Sequence, residues 1–282
     1  MSATTPQTGA ESDPTELFRR GELDAAVAAA LAQVRRKPSD TAARLFLAEL
    51  SCFAGDWDRA EKQLDTLSQQ TTEAAVLISL FRQLLRGETA RHQVLLEGRA
   101  PEIVTPLTPA MQQGLRIITA VRDDDVNAAS EAVAEMDRLR PPARGVCDGT
   151  PFDSIRDLDD RTAAVLEVIT ATGKYFWTPW ETLEYLEFDP PKRAMDLLWR
   201  RTRISVRGGP EGEVYIPTRY AFAGVDREAK GFTASHLLGH ATDWVGVEGR
   251  YTYGVGQRTL LVGDRDIGIM ELGSLQFEGA DS

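Results

Sequence analysis

A six-residue stretch occurs twice at an offset of 34 positions: Gly21-Glu22-Leu23-Asp24-Ala25-Ala26 recurs as Gly55-Asp56-Trp57-Asp58-Arg59-Ala60. Such an echo narrows the fold sharply, because a repeated helix–turn–helix unit buries its apolar face only by stacking on its neighbours. Each position has a physical role. The glycine lets one helix stop, the acidic residue opens the next, and the small alanine lets the two helices approach closely. A weaker third copy, Asp124-Asp125-Val126-Asn127-Ala128-Ala129, lacks the glycine. Apolar residues recur at helical spacing between the echoes: Leu45, Phe46, Leu50 and Phe53, then Val76, Leu77, Leu80, Leu84 and Leu85.

The period is that of the tetratricopeptide repeat. Residues 13–140 are therefore expected to form six or seven helices in a short antiparallel solenoid, the alternative being an irregular all-α bundle. Asp13-Pro14-Thr15-Glu16 has the form of a capping box and opens the first helix. Residues 1–12 are small and polar and are expected to be a disordered tail. Cys52 falls on an apolar stripe and reads as core.

Beyond about residue 150 the chain changes character. Alanine drops from 24 residues to 10, glycine rises from 8 to 15, and all six tyrosines and four of the five tryptophans lie in this part. Arg140-Pro141-Pro142-Ala143-Arg144-Gly145 reads as the joint, because paired prolines cannot continue a helix. The expected class is α+β, with a tetratricopeptide-like helical domain over 13–140 and a mainly β domain over 145–282. A helix is expected over about 159–171 and a short one opening at Thr178-Pro179-Trp180-Glu181. A hairpin follows around Gly208-Gly209-Pro210, with strands at 241–247, 250–253, 258–262 and 267–272. Short strands at this spacing suggest a small barrel or a curled antiparallel sheet.

The chain offers little chemistry. His236 and His240 stand four apart, but Leu237 occupies the place where a metalloprotease needs Glu, Gly239 disfavours a helix, and no cysteine is near. No metal and no cofactor are expected. Asp157, Asp159 and Asp160, with Glu167 beyond them, could do acid–base work or hold a cation, or could sit at a helix start where negative charge meets the macrodipole. Asp123-Asp124-Asp125 reads as a solvated helix start. Gly254-Val255-Gly256-Gln257-Arg258-Thr259 begins like a phosphate loop, but a strand pattern follows where a helix N-terminus is required, so a bulged or tightly packed strand fits better. No P-loop and no nucleophile elbow are present. The rings of Tyr175-Phe176-Trp177-Thr178-Pro179-Trp180, followed by Trp199, fill a core or form a recognition surface.

Charge and length exclude further classes. Thirty-two basic against 43 acidic residues leave a net charge of −11, which repels phosphate backbones, so no nucleic-acid partner is expected. No stretch approaches the roughly 18 apolar residues of a membrane span, and the N-terminus lacks the features of a secretory signal. Two cysteines provide no disulfide framework, and a reducing, cytoplasmic location is expected.

The second half resembles a known family. The residues that carry the likeness are Asp159-Asp160-Arg161, Leu166-Glu167-Val168, Gly173-Lys174-Tyr175-Phe176-Trp177, Pro190-Pro191 and Asp196-Leu197-Leu198-Trp199-Arg200. Further along come Gly212-Glu213-Val214-Tyr215-Ile216-Pro217-Thr218-Arg219-Tyr220, Ala241-Thr242-Asp243-Trp244 and Gly254–Thr259 with Arg258. In this order, over about 145–277, they resemble the ImpE (TagJ- or SciE-type) accessory proteins of type VI secretion systems. His240 departs from the pattern, which would carry Arg there. The resemblance implies a tetratricopeptide-like domain followed by the family's own domain, and a non-enzymatic, cytoplasmic accessory factor. It further implies binding to the contractile sheath, through the N-terminal helix of its small subunit, and assistance to the AAA+ disassembly ATPase. Leu45, Phe46, Leu77, Leu80 and Leu84 are the candidate partner-binding residues, because helical repeats present grooves to amphipathic helices. Two readings compete with it: an enzyme or small-ligand binder using the 157–160 carboxylates with Arg200 or Arg258, and a scaffold holding one partner per domain.

Overall fold

The computed structural model describes residues 13–103, 105–221 and 232–279; the expected disordered tail over 1–12 lies outside them. The chain divides into two compact units, one ending at Ala75 and the other starting at Val76. The fold is α+β, as the composition implies.

The first unit holds α1 (Pro14–Arg19), α2 (Leu23–Arg36), α3 (Thr41–Phe53) and α4 (Trp57–Gln70). The Asp13 side chain caps α1 at the Thr15 N–H, Asp40 caps α3 at Ala43, and Asp56 caps α4 at Arg59. Gly21 and Gly55 take φ of +80° and +74° and close the preceding helices. At both turns the next residue's N–H reaches back to a carbonyl five positions earlier, Glu22 to Leu17 and Asp56 to Ser51. Ala26 and Ala60 are fully buried, so the echo places its small residues at helix contacts. Leu47, Leu50, Cys52, Phe53 and Leu64 complete the core, and Phe18 packs on Phe46 and Phe53.

The second unit opens with α5 (Ala75–His92), a π-helical turn over Gln93–Glu97, the two-residue strand β1 (Glu102–Ile103), α6 (Pro109–Arg122) and α7 (Val126–Leu139). The third echo joins α6 to α7. Asp124 takes the left-handed conformation at φ +56°, Asp125 caps α7 at Ala128, and the Asp125 N–H reaches back to Ala120. Ala129 is as buried as Ala26 and Ala60. The turn keeps its geometry without glycine because Asp tolerates the left-handed region better than most residues. It is the solvated helix start expected for 123–125.

The strands are β2 (Gly145–Cys147), β3 (Thr150–Phe152), β4 (Ile155–Asp157), β5 (Val165–Thr170), β6 (Tyr175–Pro179), β7 (Leu183–Phe188), β8 (Trp199–Val206) and β9 (Glu211–Pro217). After a four-residue helix α8 (Ala234–Leu237) come β10 (Thr242–Val247), β11 (Tyr251–Gly256), β12 (Thr259–Val262), β13 (Arg265–Gly268) and β14 (Ser274–Phe277). Nine strands form one sheet in the order β1-β6-β5-β9-β8-β7-β14-β2-β3. It is antiparallel except for β1, which runs parallel to β6. The sheet is open, with β1 and β3 as edges, so the expected barrel or curled sheet is corrected: strands from distant parts of the chain widen the sheet instead of closing it. β4, β12 and β13 form a second sheet, and β10 pairs with β11 alone. The two larger sheets share one core, to which Leu166, Val168, Leu186, Ile204, Ile216 and Leu275 come from the first and Ile155, Leu260 and Val262 from the second.

The helix expected over 159–171 is instead a series of turns followed by β5. β5 is buried on both faces, so its residues run apolar without alternation and mimic a buried helix. The helix expected after Thr178 is a single 3-10 turn, Trp180–Thr182, between β6 and β7. The hairpin around 208–210 forms between β8 and β9. Strands β10, β11 and β12 lie within a few residues of the expected 241–247, 250–253 and 258–262, while 267–272 is mostly a turn after β13.

Helices give way to strands at the Pro141-Pro142 joint, but the compact units divide at 75/76 instead. The cause is packing. A Cβ on Gly87 of α5 would overlap the Ile169 side chain of β5, and one on Gly114 of α6 would crowd Arg161 and Trp177. Both helices lie directly on the sheet.

Candidate functional site

The conspicuous feature of the second unit is a buried network of charges between α5 and the sheet. In β5, Leu166 and Val168 face the core, so Glu167 points to the opposite face, towards α5. It is 1% exposed and accepts two bonds from Arg91, Nε to Oε1 at 2.9 Å and Nη2 to Oε2 at 3.1 Å. It also accepts from the Tyr175 hydroxyl and pairs with the Arg258 guanidinium. Arg91 donates to Glu88, one turn earlier on α5, and to the Arg219 carbonyl. Glu88 takes the Trp199 indole N–H at 2.9 Å and lies 3.3 Å from His92 Nε2. Burial would raise the Glu88 pKa, but Arg91, His92 and Trp199 outweigh it and hold the carboxyl well below the usual range. The Trp177 N–H donates to Tyr175, whose hydroxyl burial pushes well up.

The carboxylates at 157–160 continue this network. Asp157, 1% exposed, faces Arg258 Nε at 3.3 Å and hydrogen-bonds the Tyr220 hydroxyl at 2.9 Å. Burial raises its pKa, with Arg258 opposing, and burial likewise lowers Arg258 to about 10, leaving it charged at neutral pH. Asp159 holds Arg161 at 2.6 Å, and Arg161 lies over the Tyr253 ring. Asp160 binds Arg156 and accepts from the Thr252 N–H at 2.6 Å. The helix-start reading of these residues is corrected: Asp157 ends a strand, Asp159 and Asp160 sit in turns, and each has an arginine partner. A catalytic carboxylate needs access to substrate, and these face arginines inside the fold.

Two further candidates resolve structurally. Thr233, His236 and Asp243 have the connectivity of a catalytic triad, with Thr233 Oγ1 3.1 Å from His236 Nδ1 and Nε2 2.9 Å from Asp243. The Thr233 backbone N–H also donates to Nδ1 at 3.0 Å. That lone pair caps α8 and is not available to take a hydroxyl proton. His240 is exposed and His236 buried, and no group of three or more His, Cys, Asp or Glu is placed to hold a metal among the described residues. Gly254–Gly256 lies in β11, as the packed-strand reading expects. A Cβ on Gly254 would overlap the Tyr220 ring, so this glycine lets Tyr220 lie flat on the strand and reach Asp157.

The comparisons with known proteins follow this geometry closely. The family model described as ImpE protein matches residues 149–276, which hold Asp157, Asp159, Glu167, Tyr175, Trp199 and Arg258. Residues 149–276 form an ImpE domain. A tetratricopeptide repeat model matches residues 17–84. The Type VI secretion system accessory component TagJ of Pseudomonas aeruginosa is 28% identical over 269 residues, covering 95% of this chain and 92% of that protein. A crystal structure of a protein from Vibrio parahaemolyticus covers 94% of this chain and 97% of its own, with a TM-score of 0.86 at 24% identity; it shares the fold.

Within the ImpE domain most of the motif residues build its interior. Glu167, Tyr175, Trp177, Trp199 and Arg258 belong to the charge network. Asp196 accepts the Lys192 and Arg193 N–H groups, and the Leu197 carbonyl accepts from Thr218. Arg200 donates to the Asp189 and Ile269 carbonyls and stacks over Phe188. Asp243 and Trp244 stand on the β10 surface, Asp243 paired with His236 and Trp244 against Tyr220 while 44% exposed. The dense rings are core, with Trp177, Trp180 and Trp199 each 1% exposed. Sequence reasoning missed Glu88 and Arg91. The signal was there, since they continue the buried stripe of Phe81 and Leu84 at helical spacing and so place charges where the pattern calls for apolar residues.

The candidate partner-binding residues separate. Leu45 and Phe46 are half-buried on α3 in the first unit. Leu77 and Leu80 are half-buried on α5 in the second, and Leu84 is fully buried.

Proposed function

We propose that this chain is a non-enzymatic accessory protein of a type VI secretion system that works by binding protein. The observation that carries the reading is the ImpE domain over 149–276, together with likeness to the TagJ accessory component along nearly the whole chain. The internal pairing of Asp157, Asp159, Asp160 and Glu167 supports it over the enzyme reading, because a substrate would find no unpaired carboxylate among them.

In the finer form of this reading, the chain engages the N-terminal helix of the small sheath subunit and assists the AAA+ disassembly ATPase in finding the sheath. Its repeats supply half-buried apolar rows of the kind that accept amphipathic helices. The setting would be the cytoplasm; no helix among the described residues is long and apolar enough to cross a membrane. The test is co-purification of the full chain with the small type VI sheath subunit of the same organism. Retention that is lost when the subunit's N-terminal helix is deleted is the expected result. Failure to retain the intact subunit, or retention indifferent to the helix, overturns the sheath assignment.

A further inference from the structure

We infer that the open edge of β10 pairs with the same edge of a second copy of this chain, making a two-fold dimer centred on Trp244. The inference goes beyond the accessory reading and does not depend on it. An unpaired strand edge displays a row of backbone donors and acceptors, and proteins guard it by shortness, charge, proline or a covering segment. The other edges are guarded in these ways. β1 is two residues long, β3 has Pro151 at its centre, and β13 carries Arg265 and Asp266. β4 is three residues long, with Arg140 on its Ile155 carbonyl. The outer side of β11 is covered by Asp160, whose N–H and carboxylate bind the Thr252 carbonyl and N–H, and by Asp159 on the Gly254 N–H. β10, Thr242-Asp243-Trp244-Val245-Gly246-Val247, has six residues, no proline and a single charge, Asp243, which is paired with His236. It holds two of the five large apolar residues exposed among the described ones, Trp244 at 44% and Val247 at 37%.

The register of the ribbon selects the occupant. Thr242 lies opposite Gly256, and the Gln257 N–H donates to the Ala241 carbonyl. Ladder bonds alternate along an antiparallel pair, so the odd-numbered residues of β10 bond to β11. Thr242, Trp244 and Gly246 therefore turn their N–H and C=O groups to the open side, where no backbone group among the described residues meets them. These three positions are symmetric about Trp244. A second β10 laid antiparallel sets Trp244 opposite Trp244 of the partner subunit and Thr242 opposite Gly246 of the partner subunit, which joins the copies by about six backbone hydrogen bonds. In this register Asp243 meets Val245 of the partner subunit and so no like charge. Just beyond each strand end the exposed His240 comes level with Glu248 of the partner subunit, a donor against a carboxylate. The pairing closes at two copies, because the other side of the ribbon is already covered by Asp159 and Asp160. A single strand pair buries less than the ~1,200–2,000 Å2 of a stable interface, so the dimer is a weak one.

The test is sedimentation equilibrium of the full chain from about 2 to 500 μM, a range set by the expected dissociation constant on the order of 10–100 μM. Salt at about 0.3 M screens the repulsion between two copies of net charge −11. A monomer–dimer equilibrium is expected. Trp244→Lys, which sets two lysines face to face at the two-fold axis, is expected to stay monomeric throughout. Glu248→Lys, which sets a lysine against His240, is expected to raise the dissociation constant about tenfold, and H240E/E248K to restore it by exchanging the two charges. Circular dichroism checks folding; should Trp244→Lys not fold, the exposed pair of 240 and 248 carries the test by itself. A monomer at every concentration, assemblies larger than two, an undisturbed dimer in Trp244→Lys, or a double variant as weak as Glu248→Lys overturns the proposal.

Discussion

Arg91 and Glu167 stand 76 positions apart in the chain and meet as a two-pronged ion pair, with the arginine 2% exposed and the glutamate 1%. One lies on a helix of the repeat-like region and the other in the ImpE domain. A buried pair of this kind costs more to break than it gains by being there, because removing one partner strands the other charge without water. Arg91→Leu or Glu167→Leu is therefore expected to destabilise the second unit by about 3–5 kcal/mol. The double replacement with apolar residues should cost much less than the sum, as a double-mutant cycle in urea unfolding would read.

Glu88 sets the acid limb of stability. Its folded-state pKa is depressed, so its contribution is present above the unfolded value near 4.5 and is lost as pH falls through the folded value. Stability should decline below about pH 4.5 more steeply in the native chain than in Glu88→Gln. At pH 7 the variant should be less stable by about 3 kcal/mol. Thermal melts of both proteins across pH 3–7, a range set by the carboxylate titration, would check the slopes.

The three echo alanines are equally buried. Ala26→Leu, Ala60→Leu and Ala129→Leu should each cost about 1–3 kcal/mol by overpacking. Asp124→Gly should stabilise by about 0.5–1 kcal/mol, because glycine enters the left-handed region without Cβ strain. Chemical denaturation midpoints report both effects, and an indifferent Ala129→Leu would remove α6–α7 from the equivalence.

Gly254 is predicted to be needed for space rather than flexibility. Gly254→Ala should displace Tyr220 from β11, break its bond to Asp157 and cost about 1–3 kcal/mol. Tyr220→Phe in the same background should cost little more, since the hydroxyl would already be out of place; unfolding of the two variants and their combination decides this.

How far the sequence revealed the fold depended on the kind of signal. The period of the repeat was legible because Gly21 and Gly55 mark identical turns, and the third turn was legible even with Asp124 in place of glycine. The strands β8 to β12 alternate or are bounded by Gly-rich turns, so they were read to within a few residues, whereas β13 was placed too late and β14 was not read at all. β5 was misread because burial on both faces erases alternation. The motif residues of the ImpE domain were found by resemblance, but their partners Glu88 and Arg91 lie far away in sequence, and no local pattern names Trp199 as the donor to Glu88 or Glu167 as the ion-pair partner of Arg91. The width of the sheet was hidden for the same reason, since the order of strands depends on pairings between distant segments.

That order has a consequence for the chain as it leaves the ribosome. β14, the last of the described strands to be synthesised, lies inside the sheet between β7 and β2. Until it emerges the large sheet is split, and β7 and β2 each expose an unpaired edge to any passing strand. α5 must keep Glu88 and Arg91 hydrated until Glu167, Trp199 and Arg258 have followed. The second unit is thus vulnerable to edge-to-edge association for as long as the last third of the chain takes to appear, and late stalls in translation should yield aggregates joined through these open edges.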